Sequence, residues 1–184
     1  MPRTLTIEKT VYTYDELPQK AKEKALDWFA QGLFDFDWYE SIYEDASNIH
    51  LKITSFDEYR LEAEFTKTAR DTALACIKDH GDACDTYIDS AAFLKEYDAK
   101  EAELSSKIAE LEKLALDDWQ DDAGDLEDAF DDWLADAEEQ YLYAMRENYR
   151  IMLRKEAEYM QSLEYLEEGI RANEYEFDID GNIA

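Results

Sequence analysis

A heptad-like apolar stripe runs along this 184-residue chain and constrains its fold more than any other feature. The stripe follows spacings of four and three residues through Trp119, Ala123, Leu126, Phe130, Trp133, Ala137 and Tyr141. A shorter stripe precedes it, made of Leu104, Ile108, Leu111 and Ala115. Stripes of this kind lie on one face of an α-helix and need a partner helix. We therefore expect an antiparallel helical hairpin that reverses between Leu116 and Asp125, with a continuous rod through Gly124 as the alternative.

The N-terminal part of the chain shows strand and helix patterns in turn. Thr4–Tyr14 alternates loosely between apolar and polar residues, which predicts a strand. A helix is expected to begin near Asp15, with Pro18 in its first turn, and to end near Gly32. A further helix is predicted over residues 37–49 from apolar positions three and four apart.

Alternation with period two over residues 51–55 and 59–66 predicts an antiparallel strand hairpin. A helix is expected over 68–80, and residues 175–182 form a final strand and turn that can join the N-terminal strand. The predicted fold class is thus α+β and predominantly helical. A small antiparallel sheet, built from the N-terminal strand, the central hairpin and the C-terminal strand, packs with helices and carries a long acidic helical hairpin.

The length and composition favour one domain over residues 1–184. With 46% hydrophobic and 14% aromatic residues the chain can bury a core despite its charge. We expect residues 1–90 and 172–184 to form the α+β core, and residues 91–171 to form the helical hairpin as an extension.

The charge of the chain is strongly uneven. The formal net charge is -28, and residues 101–140 hold sixteen acidic and two basic side chains, so half of that charge lies there. Between Asp117 and Glu139 there are twelve carboxylates and no Lys or Arg. On a helix these would give one negative charge per roughly 2.9 Å of axis. Duplex DNA has one per about 1.7 Å, so the two densities differ by less than about twofold.

These carboxylates are the candidate partner-binding surface. A solvated helix face is the plain alternative, but without basic residues at i+4 each like-charged pair costs the helix about 0.2–0.5 kcal/mol. The candidate residues are Asp117, Asp118, Asp121, Asp122, Asp125, Asp128, Asp131, Asp132 and Asp136.

Catalytic and metal sites are weakly indicated. The chain has two histidines and no Gly-rich phosphate loop, so we expect neither an enzyme nor a cofactor. Cys76, His80 and Cys84 are four residues apart, with His50 as a conceivable fourth zinc ligand, but the spacing fits no structural zinc motif. A buried thiol and a histidine at a helix end are expected instead. Residues 178–182 resemble part of a calcium loop whose twelfth ligand would fall beyond the last residue, so a turn is expected there.

Three segments resemble a family of small acidic bacteriophage and prophage proteins. They are Tyr14–Ala25, the stretch from Asp37-Trp38-Tyr39-Glu40 through Asp45-Ala46 to Leu51–Asp57, and the closing Ala172–Phe177. Members of that family are generally uncharacterised, and some are labelled as an antitoxin of a toxin–antitoxin stability system. The resemblance implies a phage origin and carries no catalytic motif. Phages commonly use small acidic proteins against host DNA-binding defences.

The leading hypothesis is a phage-encoded inhibitor that mimics nucleic acid and blocks the DNA- or RNA-binding cleft of a bacterial defence enzyme, in the manner of anti-restriction or anti-CRISPR proteins. The expected partner is a basic nucleic-acid-binding protein, and not nucleic acid or a membrane. The alternative is an antitoxin-like or assembly-type protein that masks a basic partner without DNA-like geometry. A homodimer is a further option, since a heptad stripe can pair between two chains.

The expected location is the cytoplasm of the infected host. Met1–Thr10 lacks the apolar centre of a secretory signal, and no apolar stretch approaches the roughly 18 residues of a membrane span. Two cysteines are too few for a disulfide framework.

Overall fold

The computed structural model describes residues 8–57, 59–114 and 119–184, and over these the fold is α+β and predominantly helical, as predicted. The helices are α1 Gln19–Gln31, α2 Glu40–Asn48, α3 Ala69–Asp79, α4 Asp85–Leu114, α5 Trp119–Met160 and α6 Leu163–Ala172. The strands are β1 Tyr12–Thr13, β2 Leu51–Phe56, β3 Leu61–Phe65 and β4 Glu176–Phe177. They form two antiparallel two-stranded sheets, β1 with β4 and β2 with β3.

Contacts divide the chain into two compact units. The terminal unit comprises Met1–Tyr39 and Arg154–Ala184, and the central unit comprises Glu40–Leu153. The terminal unit has two clusters of buried hydrophobic residues. One, between α1, α6 and the strand pair, has as buried members Tyr14, Leu17, Ala21, Ala25, Ile170 and Phe177. The other has as buried members Leu33, Met160 and Leu166.

The C-terminal strand joins the N-terminal one, with Phe177 opposite Tyr12. The strand expected over Thr4–Tyr14 is much shorter in the described residues, because 8–11 has no regular structure and a 3-10 turn begins at Tyr14. Glu16 stabilises that turn by accepting hydrogen bonds from the backbone N–H and the hydroxyl of Thr13 at 2.8 and 3.0 Å. Residues 4–7 lie outside the described part of the chain.

A turn follows β4, as expected from residues 178–182. The Asp178 carboxylate accepts from the backbone N–H of Asp180 and of Asn182 and from the Asn182 side chain, at 2.8–3.0 Å. Gly181 has φ of +81°, and a Cβ there would lie 2.2 Å from the carbonyl oxygen of Ala21. Only glycine fits this turn without strain.

In the central unit, β2 and β3 form the predicted hairpin. Leu51, Ile53, Leu61 and Ala63 alternate with exposed residues and are buried on one face. Asp57 accepts the backbone N–H groups of Tyr59 and Arg60, both at 2.8 Å, which closes the turn. The helices expected over 37–49 and 68–80 are α2 and α3, each a few residues shorter.

The predicted antiparallel helical hairpin is formed by α4 and α5. Phe93 stacks on Tyr141 with ring centres 4.7 Å apart, and Tyr97 meets Phe130 edge-on at 6.0 Å. Helix α4 ends at Leu114 and α5 begins at Trp119, so Gly124 lies inside α5. Near the base of the hairpin, α5 is anchored by four buried side chains, Tyr141, Met145, Tyr149 and Leu153.

Over the described ranges, no helix combines the length and apolar character that a membrane span needs.

Candidate functional site

Seven of the nine candidate aspartates lie in the N-terminal half of α5. Asp117 and Asp118 lie outside the described residues, and the structure gives no placement for them. The other seven are all exposed, and we call them the acidic ridge: Asp121, Asp122, Asp125, Asp128, Asp131, Asp132 and Asp136.

The acidic ridge occupies one side of α5. A helix advances about 100° per residue, which puts Asp121, Asp125, Asp128, Asp132 and Asp136 within an arc of about 80°. Asp122 and Asp131 flank this arc on its two sides. The residues of the apolar stripe fall on the opposite side, where Phe130 contacts α4. The same heptad spacing that pairs the helices therefore turns the aspartates towards solvent.

A second row of carboxylates accompanies the first. Glu127, Asp131 and Glu138 follow one another at i+4 and i+7, and this row lies about 120° around the helix from the centre of the first. At the outer diameter of a helix, about 10–12 Å, that angle separates the rows by roughly 9–10 Å. The separation falls between the widths of the minor and major grooves of B-DNA, about 6 and 12 Å.

None of the ridge carboxylates has an ion-pair partner among the described residues. Ten carboxylates and no Lys or Arg occur from Asp121 to Glu139. That length is about 27 Å of helix, which gives one charge per roughly 3 Å. One DNA strand carries a phosphate per about 3.4 Å of axis. The helix thus has close to the linear charge density of a single strand.

The facing helix is charged differently. On α4, Lys100 and Lys107 both contact the Glu103 carboxylate, at 3.5 and 2.7 Å. Anionic charge on that helix is therefore partly compensated, whereas on α5 it is not. Asp121 and Asp122 lie in the first turn of α5, where the helix dipole favours acidic residues. The remaining five ridge aspartates are beyond the first turn and gain little from that effect.

Two aromatic residues of the stripe, Phe130 and Trp133, face α4 but are only half-buried. Among described side chains of α5 before Tyr141, Ala123 alone is buried, and α4 has no buried residue after Leu94. Leu114, at the end of α4, is 64% exposed. We call this partly open contact between the helices the apolar seam, formed by Leu104, Leu111, Leu114, Leu126, Phe130 and Trp133. The seam is partly open because only two helices meet there and no third element covers them within the described residues.

The cysteine and histidine residues do not form a metal site in the described part of the chain. Cys76 Sγ lies 3.3 Å from His80 Nδ1, but Cys84 is exposed and His50 contacts Lys67 instead. Cys76 is fully buried and His80 is the C-terminal cap of α3, which are the places expected for them.

Asp45 extends this pair into an arrangement that sequence reasoning missed. Its Oδ1 atom lies 3.5 Å from His80 Nε2, so that Cys76, His80 and Asp45 follow in the order of a catalytic triad. The thiol is nevertheless fully buried, and burial raises its pKa, which disfavours the reactive thiolate. His80 Nδ1 also lies 2.7 Å from the Thr86 hydroxyl, which competes with the thiol for the same nitrogen. These groups thus act as a partly buried polar network that joins α2, α3 and α4. The sequence contains no motif that predicts this network, because Asp45 and His80 are 35 positions apart.

No family model, curated protein sequence or solved structure matches this chain.

Proposed function

We propose that this protein is a phage-encoded acidic inhibitor that imitates nucleic acid and occupies the DNA- or RNA-binding cleft of a bacterial defence enzyme, of the anti-restriction or anti-CRISPR type. The observation that carries the proposal is the acidic ridge: seven exposed aspartates on one side of a single helix, without ion-pair partners among the described residues.

A basic cleft that holds phosphates through Lys and Arg would accept such a ridge. Its linear charge density is close to that of one nucleic-acid strand, and Glu127 and Glu138 form with Asp131 of the ridge a second row at a groove-like distance. The helix holds these carboxylates in fixed register, since α5 continues into the buried residues Tyr141 and Met145. Binding would then require little ordering of the ridge and would exclude nucleic acid by occupying its place.

Charge would also speed the encounter. A uniform anionic surface attracts a basic cleft over a Debye length, about 8 Å at physiological salt, and it repels nucleic acid and anionic lipid. We therefore propose a basic nucleic-acid-binding protein as the partner, the cytoplasm of the infected host as the location, and no catalytic role or cofactor.

The second candidate is an antitoxin-like or assembly-type protein that masks a basic partner without imitating DNA. The apolar seam favours it, since Leu111 and Leu114 lie beside Asp122 and Asp125 around an open cavity of about 430 Å³. A mixed apolar and acidic surface suits a protein partner with basic residues around an apolar centre. The partner surface on this view is the seam and its rim rather than the ridge alone.

Two variants separate these candidates. The ridge variant replaces Asp125, Asp128, Asp132 and Asp136 with Asn, all beyond the first turn of α5. The control variant makes the same change of charge in the terminal unit, at exposed residues without ion pairs among the described side chains: Asp27→Asn, Glu168→Gln, Glu176→Gln and Asp180→Asn.

The test captures host proteins on the immobilised wild-type protein at low salt and then challenges the complex with duplex DNA. Mimicry predicts a nucleic-acid-binding protein that is displaced by duplex DNA and is retained by the control variant but not by the ridge variant. A partner that remains bound in excess DNA, and that the ridge variant still captures, would support masking and contradict mimicry.

A further inference from the structure

The terminal unit contains an aromatic cavity that the acidic ridge does not explain. Its volume is about 580 Å³, and it lies between the end of α1, the turn that follows it, and α6 with the residues after it. Pockets for small molecules and side-chain groups usually measure about 300–1,000 Å³. The cavity is thus large enough for an organic group rather than a bare ion.

Five aromatic side chains line this cavity: Trp28, Phe29, Phe36, Tyr165 and Tyr175. Three of them pack against one another. The ring centre of Tyr175 lies 5.1 Å from that of Trp28 and 6.0 Å from that of Phe29. The Phe29 ring lies directly against Gly169, where a Cβ would be 2.6 Å from its Cζ atom. The glycine allows the aromatic wall to form.

The charged side chain that lines the cavity is a carboxylate. Asp35 lines the cavity, and its carboxylate has neither an ion pair nor a hydrogen bond with the described residues. The remaining polar lining comes from Gln31 and Asn173, and no Lys or Arg is among the described residues that line the cavity. An anionic ligand would therefore meet an unpaired carboxylate and find no compensating charge.

We propose that this cavity binds an organic cation, a guanidinium or an alkylammonium group. Aromatic faces attract such cations by about 0.5–1 kcal/mol at exposed sites and more where water is excluded. Asp35 supplies the counter-charge, and the amide oxygens of Gln31 and Asn173 accept N–H groups. The net charge of -28 also raises the local concentration of cations. The inference does not rest on the proposed function, because every lining residue belongs to the terminal unit.

The test titrates the full chain with ethylguanidinium and, as a neutral isostere, with ethylurea, at physiological ionic strength. Amide and indole resonances are followed by NMR. We expect the Trp28 indole and the Gln31 and Asn173 side-chain amides to shift and saturate with ethylguanidinium only. Trp133 lies in the central unit, on the helix that carries the acidic ridge, and reports non-specific attraction of cations.

Substitutions at exposed lining residues sharpen the test without disturbing the core. Asp35→Asn should weaken binding by about fivefold, and Phe36→Leu should weaken it by about threefold. The matched controls are Asp27→Asn and Phe34→Leu, since Asp27 and Phe34 are exposed but do not line the cavity. Both controls should retain wild-type affinity.

The proposal is overturned if ethylurea binds as well as ethylguanidinium, if Trp133 shifts with the same midpoint as Trp28, or if Asp35→Asn behaves like Asp27→Asn. A third probe, the blocked peptide acetyl-Gly-Arg-Gly-amide, identifies the source of the cation. Saturation of the same resonances by the peptide assigns the cavity to an arginine of a protein partner, and saturation by ethylguanidinium alone assigns it to a small free cation. Both results support the cation site.

Discussion

At the scale of single residues, the central unit is held by buried hydroxyl groups that join distant elements. The Tyr149 hydroxyl donates to Asp45 at 2.7 Å, and the Tyr141 hydroxyl shares a hydrogen bond with Ser90 at 2.7 Å. Burial raises the pKa of both tyrosines above their ordinary value, and for Tyr149 the hydrogen bond to the Asp45 carboxylate raises it further. The folded state therefore keeps both hydroxyl protons.

The protein should lose stability in alkali. The unfolded tyrosines ionise above about pH 10 and the folded ones do not, so stability is complete below that pH and falls as pH rises towards the folded pKa values. Each such tyrosine removes up to about 1.4 kcal/mol of unfolding free energy per pH unit. Urea unfolding followed by circular dichroism at pH 8 to 11 measures the slope.

Tyr149→Phe should flatten that alkaline slope while lowering stability at neutral pH, because Asp45 loses its donor. The control Tyr59→Phe alters a residue that is 81% exposed and should keep the wild-type slope. Equal slopes for all three proteins would show that burial of Tyr149 does not control the alkaline transition.

Two helical glycines should respond in opposite directions to alanine. A Cβ at Gly124 meets nothing within 4 Å, so Gly124→Ala should raise the unfolding free energy by about 0.5–1 kcal/mol through helix propensity. A Cβ at Gly169 would lie 2.6 Å from Phe29, so Gly169→Ala should lower it by about 1–3 kcal/mol through overpacking. Urea unfolding of both variants measures the contrast, and a stabilised Gly169→Ala would contradict the described contact with Phe29.

At the scale of elements, α5 has two parts with different surroundings. From Tyr141 to Leu153 it contributes four buried side chains to the central unit, whereas from Asp121 to Gln140 it buries only Ala123. The outer part of the hairpin is thus stabilised by half-covered contacts across the apolar seam and is opposed by repulsion along the acidic ridge.

Hydrogen exchange should separate these two parts. Amides in 104–114 and 124–134 should exchange faster than those in 86–94 and 141–153, because opening the outer hairpin exposes little buried apolar surface. Exchange measured by mass spectrometry at low and high salt tests this, and high salt should slow the outer amides by screening the ridge. Uniform protection along α5 would contradict the described packing.

The sequence predicted the helical hairpin because apolar spacing of three and four residues directly reports a helix face, as from Ala123 to Tyr141. The same spacing predicted that the aspartates of the acidic ridge lie on the exposed side of the helix. The length of β1 could not be predicted from the alternation in Thr4–Tyr14. The strand ends where a 3-10 turn begins, and that turn depends on the hydrogen bond between the Glu16 carboxylate and Thr13. The half-open apolar seam could not be predicted either. Apolar periodicity shows that a helix needs a partner helix, but it does not show how much of the apolar stripe that partner covers. The hydrogen bond between Asp45 and Tyr149 joins residues 104 positions apart and depends on the tertiary fold alone.

At the scale of the whole molecule, charge is concentrated rather than spread. The central unit, Glu40–Leu153, holds 31 acidic and 11 basic side chains, a net charge of −20, and ten of the acidic ones lie from Asp121 to Glu139. Solubility alone would be served by an even distribution. Concentration on one helix face opposes the stability of that helix, which indicates that the face has another use.

The ridge variant should therefore be at least as stable as the wild type. Asp125, Asp128, Asp132 and Asp136 form three consecutive like-charged pairs at i+3 or i+4, and removing them should add about 1 kcal/mol at low salt. The gain should shrink at high salt, where repulsion is screened. Thermal unfolding at two salt concentrations measures it, and a destabilised variant would show that these carboxylates support the fold.

The most direct test of the central claim is the salt dependence of binding to the captured partner, measured for the wild type, the ridge variant and the control variant. If the acidic ridge occupies a phosphate-binding cleft, wild-type affinity falls steeply with salt and is lost when duplex DNA fills the cleft. The ridge variant should bind at least about tenfold more weakly at low salt and with a flatter salt slope, while the control variant follows the wild type. Equal affinities and equal salt slopes for all three proteins would contradict the account.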